Sequence, residues 1–395
     1  MDIMIIANFC GDFSKTDNFR FLYLAKKLSD KCNVELVTST FLHNKKTQRK
    51  TEKQRFPFTL TYIHEPGYPQ NICLKRFASH LIWGKGVIKY LKKRKKPDIV
   101  YCAVPSLYGI NKVAKYCEKN NIRFVIDVQD LWPEAFEMVF HVPVISRMIF
   151  YPFRYLADGI YHRADDIVAV SQTYVDRAVQ VNRKCKKGHV VYLGTELEQF
   201  DRNVISTKDE KNKKDELWLG YCGTLGSSYD LTCVFDALQI VKNAKYRVPH
   251  FIIMGDGPRK REFQEYAKKL GLDCEFKGLM PYDQMCATLS MCDIVVNPIT
   301  KGAAQSIINK HADYAASGLP VLNTQENEEY RNLVYIYKMG FNCVNNNAED
   351  LAEKMLVLIQ DEKLREEMGK NARRCAEEKF DRHYTYEEIV KLLIS

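Results

Sequence analysis

Short uninterrupted apolar runs, separated by helix-length amphipathic segments, recur from one end of this chain to the other. Few folds accommodate that rhythm. In the first half the runs are Ile3–Phe9, Val34–Thr38, Thr59–Ile63, Ile99–Val104, Phe124–Val128, Ile167–Val170 and Val190–Leu193. Runs without polar alternation are the pattern of strands buried on both faces. Helical patterns lie between them at Thr16–Leu28, Cys73–Lys95 and Tyr108–Lys119. Strand and helix in alternation predict a parallel sheet covered on both sides.

The rhythm stops at residues 200–216, FDRNVISTKDEKNKKDE, which are charged and nearly devoid of apolar anchors. It resumes at Leu217–Cys222 and continues through Phe251–Met254, Ile294–Val296, Pro320–Asn323 and Phe341–Val344. The C-terminus reads as helix at Ala348–Gln360, Glu362–Lys379 and Tyr384–Leu393. The expected organisation is therefore a first α/β domain over 1–199, a linker over 200–216, a second α/β domain over 217–380, and a final helix over 381–395 that packs back on the first domain. A chain of 395 residues is long enough for two such cores. Doubly wound sheets bind ligands beyond the carboxyl ends of their strands, so two of them facing one another are expected to make a cleft.

Composition removes several classes. With 46% hydrophobic and 27% charged residues, the chain is neither disordered nor fibrous. No apolar run reaches the ~18 residues of a spanning helix. The start MDIMIIANFCGDF lacks a basic stretch and carries Asp2, unlike a secretory signal. The 13 cysteines are odd in number and scattered, without a Cys-x-x-Cys, which points to free thiols in a reducing compartment rather than disulfides or zinc. Metal-ligand spacing is also missing among the histidines. The net charge of +10 is uneven: residues 1–200 carry +13 and residues 201–395 carry −3. One lobe is therefore suited to something anionic. Neither a nucleic-acid motif nor an aromatic–basic strand platform is present, so nucleic acid is not the expected partner.

Four segments carry the candidate chemistry. After the first run, NFCGDFSKTDNF places Gly11 where backbone can approach a ligand, followed by a helix start near Asp17. LGYCGTLGSSYDL sets Gly223 and Gly226 between strand and helix with Gly-x-x-Gly spacing, which is not the dinucleotide fingerprint. IMGDGP reads as strand, tight turn and Pro258-started helix, equally a structural turn and a ligand contact. The most informative segment is NPITKGAAQSIINKHADYAASGLPVLNT. Asn309 is placed to cap a helix running to Ser317, ended by Gly318 and followed by Pro320. Such a helix start is an anion site, Lys310 in its first turn adds a full charge, and Asp313 one turn on can accept from two ribose hydroxyls. A solvent-facing Asp313 on a surface helix is the competing reading.

That last segment resembles the donor-site motif of retaining glycosyltransferases of the GT-B fold, glycosyltransferase family 4. The family shows Glu, seven residues, Glu, then Ala-x-Ala-x-Gly-x-Pro-Val; here the acidic positions fall on Gln305 and Asp313, followed by YAASGLPV. DVQDLWPE (Asp127–Glu134), ADDIVAVSQTY, VYLGTELEQF, GDGP and FKGLMPYDQM are similar to further landmarks of the family in the same order. The Trp-Pro-Glu segment is similar to a bacterial branch that builds capsule and O-antigen units from N-acetylated amino sugars. The resemblance runs from Ile3 to about Phe380 and implies two Rossmann-like domains facing across a cleft.

By resemblance, Asp313 holds the ribose of a UDP-sugar, Ser306, Ile307 and Ile308 face its diphosphate or sugar, and Gly278, Leu279 and Met280 meet the base. Gly11 and Asp12 approach the donor from the first domain, and Gly223 and Thr224 line its phosphates. Gln129, Asp130, Glu134 and Gln305 take the catalytic positions. The departures are specific. Where many members carry Arg and Lys to neutralise the diphosphate, this chain has Thr224 and about Asp230; where many have His, it has Gln129; the first acidic position is Gln305. The phosphate charge then falls to the helix start, Lys310 and Lys301.

No pair of carboxylates reads as a hydrolase acid and nucleophile. The implied mechanism is front-side displacement with retention, without metal or cofactor, in which amides and a lysine stabilise the leaving diphosphate and lobe closure excludes water. The implied acceptor is a polyprenyl-diphosphate-linked saccharide. SHLIWGKGVIKYLKKRKKPD sets Trp83, Ile82 and Val87 beside a lysine cluster, and with FYPFRYL at Phe150–Leu156 it predicts docking at the cytoplasmic face of an anionic membrane, against the alternative that this helix uses its apolar face on its own sheet. Two rival functions remain: a GT-B nucleotide-sugar epimerase, and a weakly catalytic paralogue serving as a binding subunit.

Overall fold

The computed structural model describes residues 1–13, 19–50, 56–71, 73–134, 143–206, 216–302 and 307–395, with backbone only for 143–147. The chain divides into two compact units, Met1–Tyr192 with Tyr386–Ser395, and Leu193–Thr385.

Among the described residues the first unit has nine strands: β1 (Asp2–Ile6), β2 (Asn33–Ser39), β3 (Phe41–Leu42), β4 (Thr47–Gln48), β5 (Thr59–Ile63), β6 (Ile99–Val104), β7 (Arg123–Val128), β8 (Asp166–Ala169) and β9 (His189–Val190). Seven of them form a sheet in the order β5-β2-β1-β6-β7-β8-β9, every pair parallel, while β3 and β4 make a small antiparallel hairpin. The apolar runs become strands because both of their faces are covered: Ile3, Ile5, Leu36, Val100 and Val125 are wholly buried. The helix Leu74–Leu91 turns Trp83, Val87 and Leu91 inward. This corrects the docking role expected of Trp83, because the apolar stripe is consumed by the unit's own core.

The second unit holds β10 (Trp218–Cys222), β11 (His250–Met254), β12 (Cys274–Gly278), β13 (Ile294–Asn297), β14 (Val321–Asn323) and β15 (Gly340–Asn342), in a parallel sheet ordered β12-β11-β10-β13-β14-β15. In both sheets the order reverses at the first strand, which is the switch point of a doubly wound fold.

Two expected boundaries move. Residues 200–206 belong to a helix, Leu197–Ser206, that buries Leu197, Phe200 and Asn203 along one face and packs against the helix Tyr282–Ser290. The chain leaves the first unit at Tyr192, ahead of the polar stretch, and residues 207–215 of that stretch lie outside the described residues. It returns at Tyr386, where Tyr386, Ile389, Val390 and Leu393 join the core made by Phe21, Leu24 and Leu28. Arg20 ties that return: its guanidinium pairs with Asp127 at 2.7 Å and donates to the Val191 and Tyr192 carbonyls and to Tyr386 Oη.

Candidate functional site

In the second unit the site is built on the helix Asn309–Ala316, which starts beyond the carboxyl end of β13. Ile308, not Asn309, is the residue at the cap. Isoleucine has no acceptor, and the Ile308 N–H instead donates to His311 Nδ1 at 3.2 Å. The His311 ring stacks on Tyr330 at 3.6 Å, and burial holds it neutral, with its pKa well below the ordinary value. Tyr314 fastens the helix to the sheet, accepting from the Cys222 N–H at 3.0 Å and donating to the Val296 carbonyl at 3.1 Å.

Lys310 and Asp313 stand three residues apart on one face of this helix. Lys310 is 7% exposed, and its Nζ has no hydrogen-bond partner among the described residues. The ammonium sits 4.3 Å from the Tyr221 ring centre and 4.1 Å from that of Tyr229. Two aromatic faces attract a cation but do not replace an anion, and burial lowers its pKa to about 7. Asp313 is 8% exposed; burial raises its pKa to about 6, opposed by the Tyr282 hydroxyl, Arg382 and Thr195. Tyr282 Oη donates to Asp313 Oδ1 at 2.8 Å and lies 2.8 Å from Thr195 Oγ1. A buried cation without a counter-ion beside a buried carboxyl of raised pKa is the signature of a functional site.

The glycine loops shape the space beside Lys310. Gly223 has φ +146°, and a Cβ there would lie 3.0 Å from Lys310 Nζ and 3.0 Å from Tyr221 Oη. The GDGP turn lies directly behind that loop: a Cβ on Gly255 would sit 1.8 Å from the Gly223 carbonyl, and Gly223 N–H donates to the Met254 carbonyl at 2.9 Å. GDGP is thus the turn that supports the Gly223 loop. Thr224 is exposed, and its carbonyl accepts from Tyr221 Oη. Asp230 caps the helix Leu231–Asn243, accepting the Cys233 N–H at 3.1 Å. Gly278 ends β12 with φ +74°, followed by Leu279, 86% exposed, and Met280. Lys301 is exposed in the loop after β13, and Ile307 is buried. Gln305 and Ser306 lie outside the described residues.

In the first unit the remaining candidates sit beyond the carboxyl ends of β1 and β7. Gly11 packs under Phe19, its carbonyl accepts from Arg49, and Asp12 pairs with Lys45 at 2.6 Å. Asp17 is outside the described residues. Gln129 donates its N–H to the Val104 carbonyl, and its buried Nε2 has no partner among the described residues. Asp130 accepts from Trp132 Nε1 at 2.9 Å, and burial raises its pKa. Glu134 pairs with Arg177 at 2.6 Å, which also holds Asp158, so its carboxylate is engaged in an ion pair.

Sequence reasoning singled out Lys310, Asp313 and Gly223, which the structure gathers. It passed over Tyr221, Tyr229, Tyr282 and Thr195. All four lie inside segments already recognised, but their roles come from contacts with residues far away in the sequence.

The sequence pattern described as Glycosyltransferase Family 4 matches residues 20–199, and that described as Glycosyl transferases group 1 matches residues 203–375. The chain belongs to glycosyltransferase family 4. It is 23% identical over 311 residues to the capsular polysaccharide biosynthesis glycosyltransferase CapM of Staphylococcus aureus, covering 75% of this chain and 76% of that protein. Its fold is similar to that of HepE from Anabaena, solved with UDP, at a TM-score of 0.73 and 15% identity over 100% of this chain and 99% of that one. It is also similar to WaaG, a glycosyltransferase involved in lipopolysaccharide biosynthesis, at a TM-score of 0.66 and 13% identity over 99% of both chains. The fold of this glycosyltransferase is accordingly GT-B, an α/β architecture with two Rossmann-like domains.

Proposed function

We propose that this family 4 glycosyltransferase transfers a hexosyl or N-acetylhexosaminyl group from a UDP-sugar to a polyprenyl-diphosphate-linked saccharide, in capsule, O-antigen or exopolysaccharide biosynthesis. The observation that carries the reading is Lys310, a buried ammonium without a counter-ion, set one helical turn before Asp313. A diphosphate supplies the missing anion, and the ribose hydroxyls supply donors to Asp313. The Arg and Lys that many family members place after the first strand of the second domain are Thr224 and Asp230 here, and Lys310 takes over their charge from the neighbouring helix. CapM and the UDP-bound HepE support a nucleotide-sugar donor and a capsular role by similarity.

In this reading the charge that develops on the leaving diphosphate is met by Lys310 and by the amides at the start of Asn309–Ala316. The leaving phosphate takes the acceptor proton on the same face, which retains configuration and uses no metal. In this reading the protein works at the cytoplasmic face of the membrane; within the basic first unit, the helix Pro143–Tyr161 exposes Met148, Tyr151 and Tyr155. Titration calorimetry tests the donor site. UDP is expected to bind, and Lys310→Gln to weaken it by at least about tenfold; equal affinity in both proteins contradicts the assignment. A UDP-sugar turned over onto a lipid-linked acceptor separates an enzyme from a binding subunit.

A further inference from the structure

Three neighbouring strands of the second sheet, β13, β14 and β15, each end in asparagine, and the three are register partners: Asn297 opposite Asn323, and Asn323 opposite Asn342. Asn297 and Asn323 are wholly buried, where an aliphatic side chain would leave no polar atom to satisfy. The carboxamides are bonded to one another in a single sense. Asn342 Nδ2 donates to the Arg331 carbonyl at 2.9 Å, Asn323 Nδ2 to Asn342 Oδ1 at 2.8 Å, and Asn297 Nδ2 to Asn323 Oδ1 at 2.9 Å. Backbone groups fix that sense, because the Arg331 carbonyl only accepts and the Gln325 N–H, which meets Asn323 Oδ1 at 3.2 Å, only donates. The row has a cost, since Asn297 Oδ1 is buried without a partner among the described residues. A buried polar row that stability does not require is a means of holding something in one orientation.

What it holds is His311. The ring is wholly buried in the first turn of the helix Asn309–Ala316, and the Ile308 N–H donates to its Nδ1 at 3.2 Å. A ring nitrogen that accepts carries no proton, so the neutral imidazole has its proton on Nε2. Nε2 faces the asparagine row. Asn297 Nδ2 directs its hydrogens to Asn323 Oδ1 and, at 3.2 Å, to Gln325 Oε1, so His311 Nε2, 3.1 Å from that nitrogen, is not needed as an acceptor. The His311 side chain hydrogen-bonds Gln325, whose oxygen has a lone pair for each of the two donors. The opposite tautomer would turn a ring N–H against the Ile308 N–H.

The consequence lies at the helix start. The Ile308 amide, which the family resemblance sets on the diphosphate, is taken by His311, and the His311 N–H donates to the Ile308 carbonyl at 3.1 Å. The amides left for an anion at this end are those of Asn309 and Lys310, next to the Lys310 ammonium. We propose that His311 is a positioning residue for the donor diphosphate: kept in its Nε2–H tautomer by Gln325 and the asparagine row, it fixes Ile308 and thereby aims the Asn309 and Lys310 amides and the Lys310 side chain at the phosphates. This rests on the donor reading and adds to it a residue that touches no substrate.

The test compares UDP with uridine, which lacks the phosphates, by titration calorimetry on the full chain. His311→Phe keeps a ring to stack on Tyr330 and removes both ring nitrogens. It should cut the UDP-over-uridine affinity ratio by at least about tenfold while uridine affinity stays within about threefold. Gln at this helix position offers an oxygen to the Ile308 N–H and an amide N–H to Gln325, so His311→Gln should return the ratio to within about threefold of the wild-type protein. A purely structural role would lower the melting temperature of His311→Phe and leave the ratio alone. A second measurement does not depend on His311→Phe folding: imidazole nitrogen NMR of the histidine-labelled protein, with His311 assigned from the signal lost in His311→Gln, should show a neutral ring with its proton on Nε2. A proton on Nδ1, an unchanged ratio in His311→Phe, or a ratio that His311→Gln fails to restore overturns the proposal. A wild-type ratio near one removes the diphosphate reading itself and this proposal with it, so the two failures are told apart by the first titration.

Discussion

In the proposed donor site Lys310 carries most of the chemistry, and its burial without a hydrogen-bond partner among the described residues costs the free protein stability. A buried, unpaired ammonium is unfavourable, and an apolar residue of similar shape removes that cost. Lys310→Met is therefore expected to raise the melting temperature while weakening UDP binding; a lower melting temperature with unchanged binding contradicts the assignment. The pH dependence follows from the lowered pKa, about 7 in the folded protein against 10.5 for an ordinary lysine. Between those values the unfolded chain binds more protons, so stability rises with pH from about 7 toward 10.5. Asp313 acts in the opposite sense: its pKa is raised from 3.8 to about 6, so its contribution is lost as pH rises through that window. Denaturant titrations between pH 4 and 10 should show a fall and then a rise, and the rise should flatten in Lys310→Met. Binding a diphosphate should also draw a proton onto Lys310 at pH 8, measured as a buffer-dependent calorimetric enthalpy that Lys310→Met abolishes. Lys310 and Asp313 were legible as residue types at the start of a helix. Their burial was not, because the covering rings of Tyr221 and Tyr229 and the Tyr282 hydroxyl come from other strands and helices.

At the scale of elements, what the sequence revealed tracks how completely each run is buried. Strands covered on both faces, such as β6 and β7, stand out as continuous apolar stretches. The edge strand β12 does not, since Cys274–Gly278 alternates half-buried and exposed residues and carries Glu275 and Lys277. The helix Leu197–Ser206 was hidden for a related reason: its apolar residues are few, and a long polar stretch follows them. The loop elements carry their own test. A side chain on Gly255 meets the Gly223 carbonyl at φ +156°, whereas one on Gly226 meets only Thr224 Cγ2 at 3.6 Å. Gly255→Ala is expected to destabilise the second unit by roughly 2 kcal/mol or more, and Gly226→Ala by less than about 0.5 kcal/mol, in chemical denaturation. Equal effects would remove the supporting role given to the GDGP turn.

At the scale of the whole molecule, each unit has its own sheet and core, and the first is completed by the last ten residues of the chain. Tyr386 receives a hydrogen bond from Arg20, and Ile389, Val390 and Leu393 are wholly buried. Truncation after Thr385 should therefore destabilise the first unit and leave the second with its UDP affinity; hydrogen exchange mapped along the chain reads this directly, and unchanged protection of Phe21–Leu28 contradicts it. Membrane docking belongs to this scale too. Flotation with anionic liposomes at low salt should carry the protein, and the triple change Met148→Ser, Tyr151→Ser and Tyr155→Ser should release it. The central claim is that a nucleoside diphosphate neutralises Lys310. A crystal structure of the UDP complex measures it: the account predicts a diphosphate oxygen within about 3 Å of Lys310 Nζ and a ribose hydroxyl on Asp313. UDP bound with its phosphates away from Lys310 would contradict it.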